Sequence, residues 1–404
     1  MRISTSTSGL LLFAMILLAS GVSRPQTASR QPPSSQLQAV AQEISTGRLD
    51  QAEKELQTIL HSTPGEYRAL DLLGVIRVLQ RQETKAEELF TQVVQKKPDF
   101  APGHAHLGLL NMQMGRTQEA IRELQEAVRL DPTRKDAVGA LVNILQGQAQ
   151  SASESGDWNN ALGLLREARK YAPDNPDIQY EFGLTALRLS LLEDSIEAFQ
   201  QVLQLRKHDA LALYNLGRAF MELSKFDEAR QQFAEYVRVR PDDPAGYCAL
   251  GMTLAALERT HEAREQFERS IALAPTQSES YYRLGLLDLE SKDYEAASQN
   301  LRHALASSPK NAGVLTALGK VEFEQKHYPE AALLLQQAMA DDESLREAHY
   351  YLGLTFARLG RKQESTEQLE IASRLEHEEA QHRRTLLRIA EPAAVGSQML
   401  PAAK

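Results

Sequence analysis

Polar and apolar residues alternate along most of this chain with the period of a helix, and the helical pattern is itself repeated. Gly74, Gly108, Gly183, Gly217, Gly251, Gly285, Gly319 and Gly353 are 34 residues apart, except for one gap of 75. Aligning on these glycines brings other columns into register. Immediately before each stands Leu or, once, Phe182; twelve residues after comes Ala or Ser, as at Ala229; four further on comes Phe or Leu, as at Phe233. Many blocks close on proline, among them Pro98, Pro132, Pro241, Pro275 and Pro309.

Each block holds two helical periods joined by a short turn, as at Ser224-Lys225 before "FDEA". Glycine inside a helix costs roughly 1 kcal/mol relative to alanine, so its recurrence needs a packing reason. The expected reason is a close approach of two backbones, with Gly on the first helix and Ala on the second. Proline lacks an N–H and clashes with the preceding turn, which ends the second helix. A single hairpin cannot bury its apolar face alone, whereas stacked hairpins can.

"ALALYNLGRAFMELSKFDEARQQFAEYVRVRPDD", Ala210 to Asp243, resembles the 34-residue pattern of the tetratricopeptide repeat family almost column by column. Two further blocks lack the glycine: one has Val40 in its place with Ala52, Leu56 and Pro64, the other Ala149 with Ala161, Leu165 and Pro173. The resemblance implies an all-α fold, an α-solenoid forming a right-handed superhelix of about ten hairpins over residues 37–391. A C-terminal capping helix is expected in "AQHRRTLLRIA", Ala380 to Ala390, as the start of an eleventh block with a polar outer face.

The gap of 75 is two periods plus seven residues. Seven residues make about two turns at 3.6 per turn, so the apolar face stays in phase. Ala137, Ala140, Leu141, Ile144, Leu145 and Ala149 continue that face. A first helix about two turns longer, protruding at one end, is therefore expected in the unit 135–175. A loop in "QGQAQSASESGD" is the competing arrangement.

The ends differ from the array. Arg2 precedes "LLLFAMILLA", Leu10 to Ala19, and small residues follow. This is the layout of an export signal over residues 1–21, and the apolar run is short of the ~20 residues of a spanning helix. The expected destination is the periplasm or the medium, with an uncleaved N-terminal membrane anchor as the alternative. Residues 22–36, rich in Pro, Ser and Gln, read as a flexible linker, and 392–404 as a disordered tail. Cys248 is the one cysteine, so no intramolecular disulfide forms.

Composition excludes some classes of function. With 42% hydrophobic and 25% charged residues and a net charge of -9, the chain is foldable and lacks the basic footprint of a nucleic-acid binder. No nucleophile-elbow, phosphate-loop or dinucleotide motif is present. "HEEAQH" (His377 to His382) and "HEARE" (His261 to Glu265) fall short of two imidazoles on one helix face, so no metal and no cofactor are expected. His104, His106 and Trp158 sit in packing columns.

In the family the resemblance names, the outward face of the first helices lines a concave groove. Three residues before the glycines stand Tyr180, Tyr214, Cys248, Tyr282 and Tyr350; one after stand Leu184, Arg218, Met252, Leu286 and Lys320; four after stand Met221 and Phe323. Such an apolar, tyrosine- and methionine-bearing face suits a peptide or protein partner. The lysine column of a carboxylate clamp is empty of lysine. The resemblance thus implies a non-enzymatic scaffold, or alternatively an accessory subunit of an envelope enzyme or a secretion and assembly machine.

Overall fold

The computed structural model describes residues 34–390 as twenty α-helices, α1 (Ser34–Ser45) to α20 (Lys362–Ala390), and no strand occurs among the described residues. The helices pair in sequence as ten antiparallel hairpins. They divide into two compact units, one ending at Lys207 and one beginning at His208. Each unit is an α-solenoid of five hairpins. Within each, several first helices touch the first helix of the next hairpin, whereas second helices of neighbouring hairpins meet far less. First helices therefore line the inner side of the stack.

The glycine column works through a different contact from the one the sequence suggests. A Cβ on Gly74 would stand 2.4 Å from the Phe90 ring, one on Gly217 2.8 Å from Phe233, and one on Gly319 2.6 Å from Leu335. The side chain sixteen positions on takes the space, while the alanine backbone is a lesser neighbour, with Ala297 O at 3.4 Å from a Cβ on Gly285. Missing atoms on one helix are matched by bulk on its partner.

The same complementarity joins hairpins. Nineteen residues after the glycine column, the second helix faces the next first helix ten positions further on. Tyr236 is seated on Gly246, where a Cβ would lie 2.5 Å from the ring, and Val93 on Gly103, at 2.6 Å. Where the second helix offers only Ala304, the facing position is Val314, and both are fully buried. Ser270 faces Ser280, and their hydroxyls bond at 2.9 Å. Close packing of this kind fixes one stacking register.

Seven residues after the glycine column, every hairpin turns through a residue with positive φ. Gly47, Gly115, Gly156 and Gly360 do so without a Cβ, but Arg81, Ser190, Ser224, Glu258, Lys292 and Lys326 also adopt it, at φ 57 to 68°. Three joints between hairpins carry a charge clamp from a second helix to the end of the next first helix. Glu53 pairs with Arg77 at 2.6 Å, Arg264 with Asp288 at 2.5 Å and Arg302 with Glu322 at 2.8 Å.

The helix α7 (Lys135–Glu154) runs for 20 residues where the other first helices have 12 or 13. The segment "QGQAQSASE" is helical to Glu154. The extra turns do not protrude: Ala137 and Leu141 are fully buried and belong to the core of the first unit. Their apolar face finds the preceding hairpin, so exposing it would forfeit burial worth ~25 cal/mol per Å².

At the other end the expected eleventh first helix does not form as a separate element. Lys362–Ala390 is one continuous 29-residue helix, because no proline, glycine or Asn/Asp turn interrupts it where the other second helices stop. At the N-terminal side α1 starts at Ser34, inside the segment read as a linker. The export signal over 1–21 and the tail over 392–404 lie outside the described residues.

Candidate functional site

The face formed by the first helices is assembled from columns counted around the glycines. In the first unit it is largely polar. Asp71 and His106, both buried, meet at 2.7 Å between consecutive hairpins. Gln146 donates to Glu181 at 2.8 Å in the same relation, three residues before one reference position to two before the next. Burial raises the Glu181 pKa, and Asp177 adds to it while the Gln146 bond opposes both. Tyr180 is half-buried with its ring 5.7 Å from Phe199, and Leu184 is exposed. His106 thus packs as part of a polar rung.

In the second unit the tyrosines lean inward. The Tyr214 ring stands 5.6 Å from Phe233 and 5.2 Å from Tyr236, and burial raises its phenol pKa. Tyr282 is half-buried, its pKa also raised by burial, and its hydroxyl would meet a Cβ on Gly313 of the next first helix at 3.2 Å. Cys248 is buried and its thiol pKa is pushed up by burial, which makes it a poor nucleophile. Met221 accepts a 3.2 Å hydrogen bond from Thr253, and Leu286 packs on the neighbouring core. Met252 is half-buried. Phe323 sits 5.7 Å from Tyr328 and 5.8 Å from Tyr351. Tyr180 and Tyr214 thus pack within their own hairpins, while Met221, Tyr282 and Phe323 reach the next one.

Three members stay accessible in charge or ring. Arg218 is exposed and donates to Asn215 at 3.2 Å. Lys320 pairs with Glu347 at 3.0 Å, its ammonium 5.0 Å from the Tyr351 ring. Burial disfavours that charge, yet the Glu347 and Tyr351 contacts outweigh it and raise the lysine pKa. Tyr350 is 43% exposed and meets Tyr351 edge-on.

From the column two before the glycines the sequence singles out only His106, as packing, and from the one six before it singles out nothing. Arg283 and Tyr351 come from the former, Glu279 and Glu347 from the latter. Arg283 bonds Glu279 at 2.6 Å and lies 5.6 Å from the Tyr282 ring. The signal was available, since these columns share the 34-residue period. Together the second unit presents a cation beside an aromatic ring at two hairpins, each held by a glutamate of the rim.

Among the described residues no group of three or more His, Cys, Asp and Glu side chains converges. His261 is an exposed partner of Glu265 at 3.4 Å, and Trp158 carries the Arg188 guanidinium 4.5 Å above its ring. No described helix is long and apolar enough to cross a membrane.

Hairpins with these columns define a helical-repeat interaction protein. The tetratricopeptide repeat pattern matches residues 43–102, 101–134, 147–210, 180–244, 214–278, 248–312 and 288–352. The chain belongs to the tetratricopeptide repeat family, whose repeats form scaffolds for protein–protein interaction. It is 31% identical over 137 residues to cellulose synthase 2 operon protein C of Komagataeibacter xylinus, covering 34% of this chain and 10% of that protein. It is 25% identical over 169 residues to BBSome complex member BBS4 of Bos taurus, covering 42% of this chain and 31% of that one. Among solved structures, a tetratricopeptide repeat protein from Parabacteroides merdae matches with TM-score 0.44 and 17% identity, covering 63% of this chain and 98% of that chain. The chain thus spans about a third or less of the two curated relatives' lengths.

Proposed function

We propose that this protein is a non-enzymatic scaffold whose second unit holds an extended segment of a protein partner along its first-helix face. The observation that carries this is the graded exposure of that face. Tyr214, Tyr282 and Phe323 are committed to packing, whereas Arg218 and Tyr350 keep accessible surface at separate hairpins. Rigid aromatics next to a cation give a partner contact area with little loss of side-chain freedom. Capture from an envelope extract with wild-type protein and with Arg218→Glu/Tyr350→Ala is the test. The variant keeps its helical circular-dichroism signal and loses the partner bands; undiminished capture would remove this face from the account.

We further propose export, on the strength of the Arg2 and Leu10–Ala19 pattern. Mass spectrometry of the protein recovered outside the cytoplasm then finds a start near Val22, and an intact Met1 contradicts cleavage. The likeness to a cellulose synthase operon protein favours a second reading, an accessory subunit of an envelope polysaccharide enzyme. Under it, the captured partner is a synthase subunit.

A further inference from the structure

Among the described residues the first hairpin has no hairpin before it, and Glu43 marks the face that later hairpins turn to their predecessors. Counted from Val40 in the glycine column, Glu43 stands three positions on, the place held by Arg77, Asp288 and Glu322 in later hairpins. Each of those three is clamped by an opposite charge from the second helix of the hairpin before it: Glu53, Arg264 and Arg302. Asp288 and Glu322 are nearly fully buried in their clamps. Glu43 has no described hairpin before it, and its Oε2 is buried without a hydrogen-bond partner. A buried carboxylate oxygen left unpaired is unfavourable, and a guanidinium is the group that the fold supplies at this place elsewhere.

We infer that the chain's own N-terminal lead, residues 24–33, docks on this face and sets an arginine against Glu43. Three observations select this occupant. The lead carries Arg24 and Arg30, and no acidic residue precedes Glu43 in the chain. Reach matches as well: four extended residues from Ser34 back to Arg30 span ~13 Å, and Glu43 lies nine residues into the helix, ~14 Å along its axis. A second copy stacked end to end is the poorer fit. Its last hairpin would bring Thr366 and Glu370 to the clamp columns, where Arg264 and Arg302 stand in their own hairpins, and Glu370 would repel Glu43.

The inference stands apart from partner binding by the second unit, so failure of one leaves the other intact. The test is limited trypsin digestion of the full chain, following cleavage after Arg30 by mass spectrometry. Wild-type protein is cut there slowly, and Glu43→Lys is cut on the order of tenfold faster at unchanged circular dichroism. For the charge swap, Arg30→Glu is combined with Glu43→Lys, and cleavage after residue 30 by a glutamate-specific protease is compared with that of Arg30→Glu alone. The combined variant recovers part of the protection. Equal cleavage of wild type and Glu43→Lys overturns the inference. So does an oligomer, seen by sedimentation, that Glu43→Lys dissociates, since a second copy would then occupy the face.

Discussion

Six hairpin turns place a side chain where four others place glycine. For an L-residue the left-handed region costs roughly 1–2 kcal/mol, partly offset because glycine orders at a greater entropic cost. Glu258 adopts φ 60° at an exposed turn of the second unit. Glu258→Gly is therefore expected to raise stability by about 1 kcal/mol, and Gly115→Ala to lower it by a similar amount. Urea denaturation followed by circular dichroism checks both; the same sign for the two changes would contradict the turn argument. At this scale the sequence was informative about where small residues stand and less so about why. Gly217 was legible as a close approach, but the group filling the space, the Phe233 ring, follows from side-chain direction along the neighbouring helix. Nor did a 34-residue column distinguish a tyrosine offered to a partner from one packed on Phe233 and Tyr236.

Individual hairpins carry their own electrostatics. His104 and His349 occupy the same column, and each ring bridges the preceding turn to its own second helix. His104 Nδ1 lies 2.7 Å from Glu123 and Nε2 lies 2.9 Å from the Pro98 carbonyl; the His349 counterparts are Gln368 at 2.7 Å and the Glu343 carbonyl at 3.0 Å. With an ionised Glu123, both nitrogens of His104 face acceptors only, so both donate in the protonated ring. Burial opposes that charge, but the bonds to Glu123 and Pro98, with the field of Glu126, outweigh it and raise the pKa. A raised histidine pKa contributes stability that is complete below the unfolded value of about 6.5 and is lost as pH rises through the folded value. Gln179 fills this column in another hairpin and donates to the Pro173 carbonyl at 2.7 Å. His104→Gln therefore keeps the turn bond without the titration. Trp158, the one tryptophan, reports on the first unit. Its urea midpoint is expected to fall from about pH 6 to about pH 8.5 in wild type, by an amount that His104→Gln abolishes. An identical pH slope in both proteins would assign the effect elsewhere.

The seven extra residues of α7 and the uninterrupted α20 teach opposite lessons at the same scale. Phase arithmetic showed that the former stays helical, but only the preceding hairpin explains why Ala137 and Leu141 are buried instead of protruding. For α20 the repeat pattern suggested a new first helix at Ala380. Local sequence decided otherwise, since nothing between Lys362 and Ala390 can break a helix.

Across the molecule, the repeat dictates a scaffold, and departures from the repeat give its faces their character. The first unit sets polar rungs such as Asp71–His106 between its hairpins; the second sets cations beside rings, held by Glu279 and Glu347. Asp71–His106 and Lys320–Glu347 are visible in no single block of sequence, because each joins different columns of consecutive blocks, whereas Glu279–Arg283 lies within one helix. The partner itself has no trace in the columns, which record how hairpins fit each other. The central claim is that the second unit binds through its first helices and not its second. A photoreactive phenylalanine analogue placed at Arg218, at Tyr350 or at Leu333, a 58% exposed residue of a second helix, tests it directly. The account predicts one and the same crosslinked protein from positions 218 and 350 and none from 333. Crosslinking from 333 alone, or different proteins from 218 and 350, would contradict it.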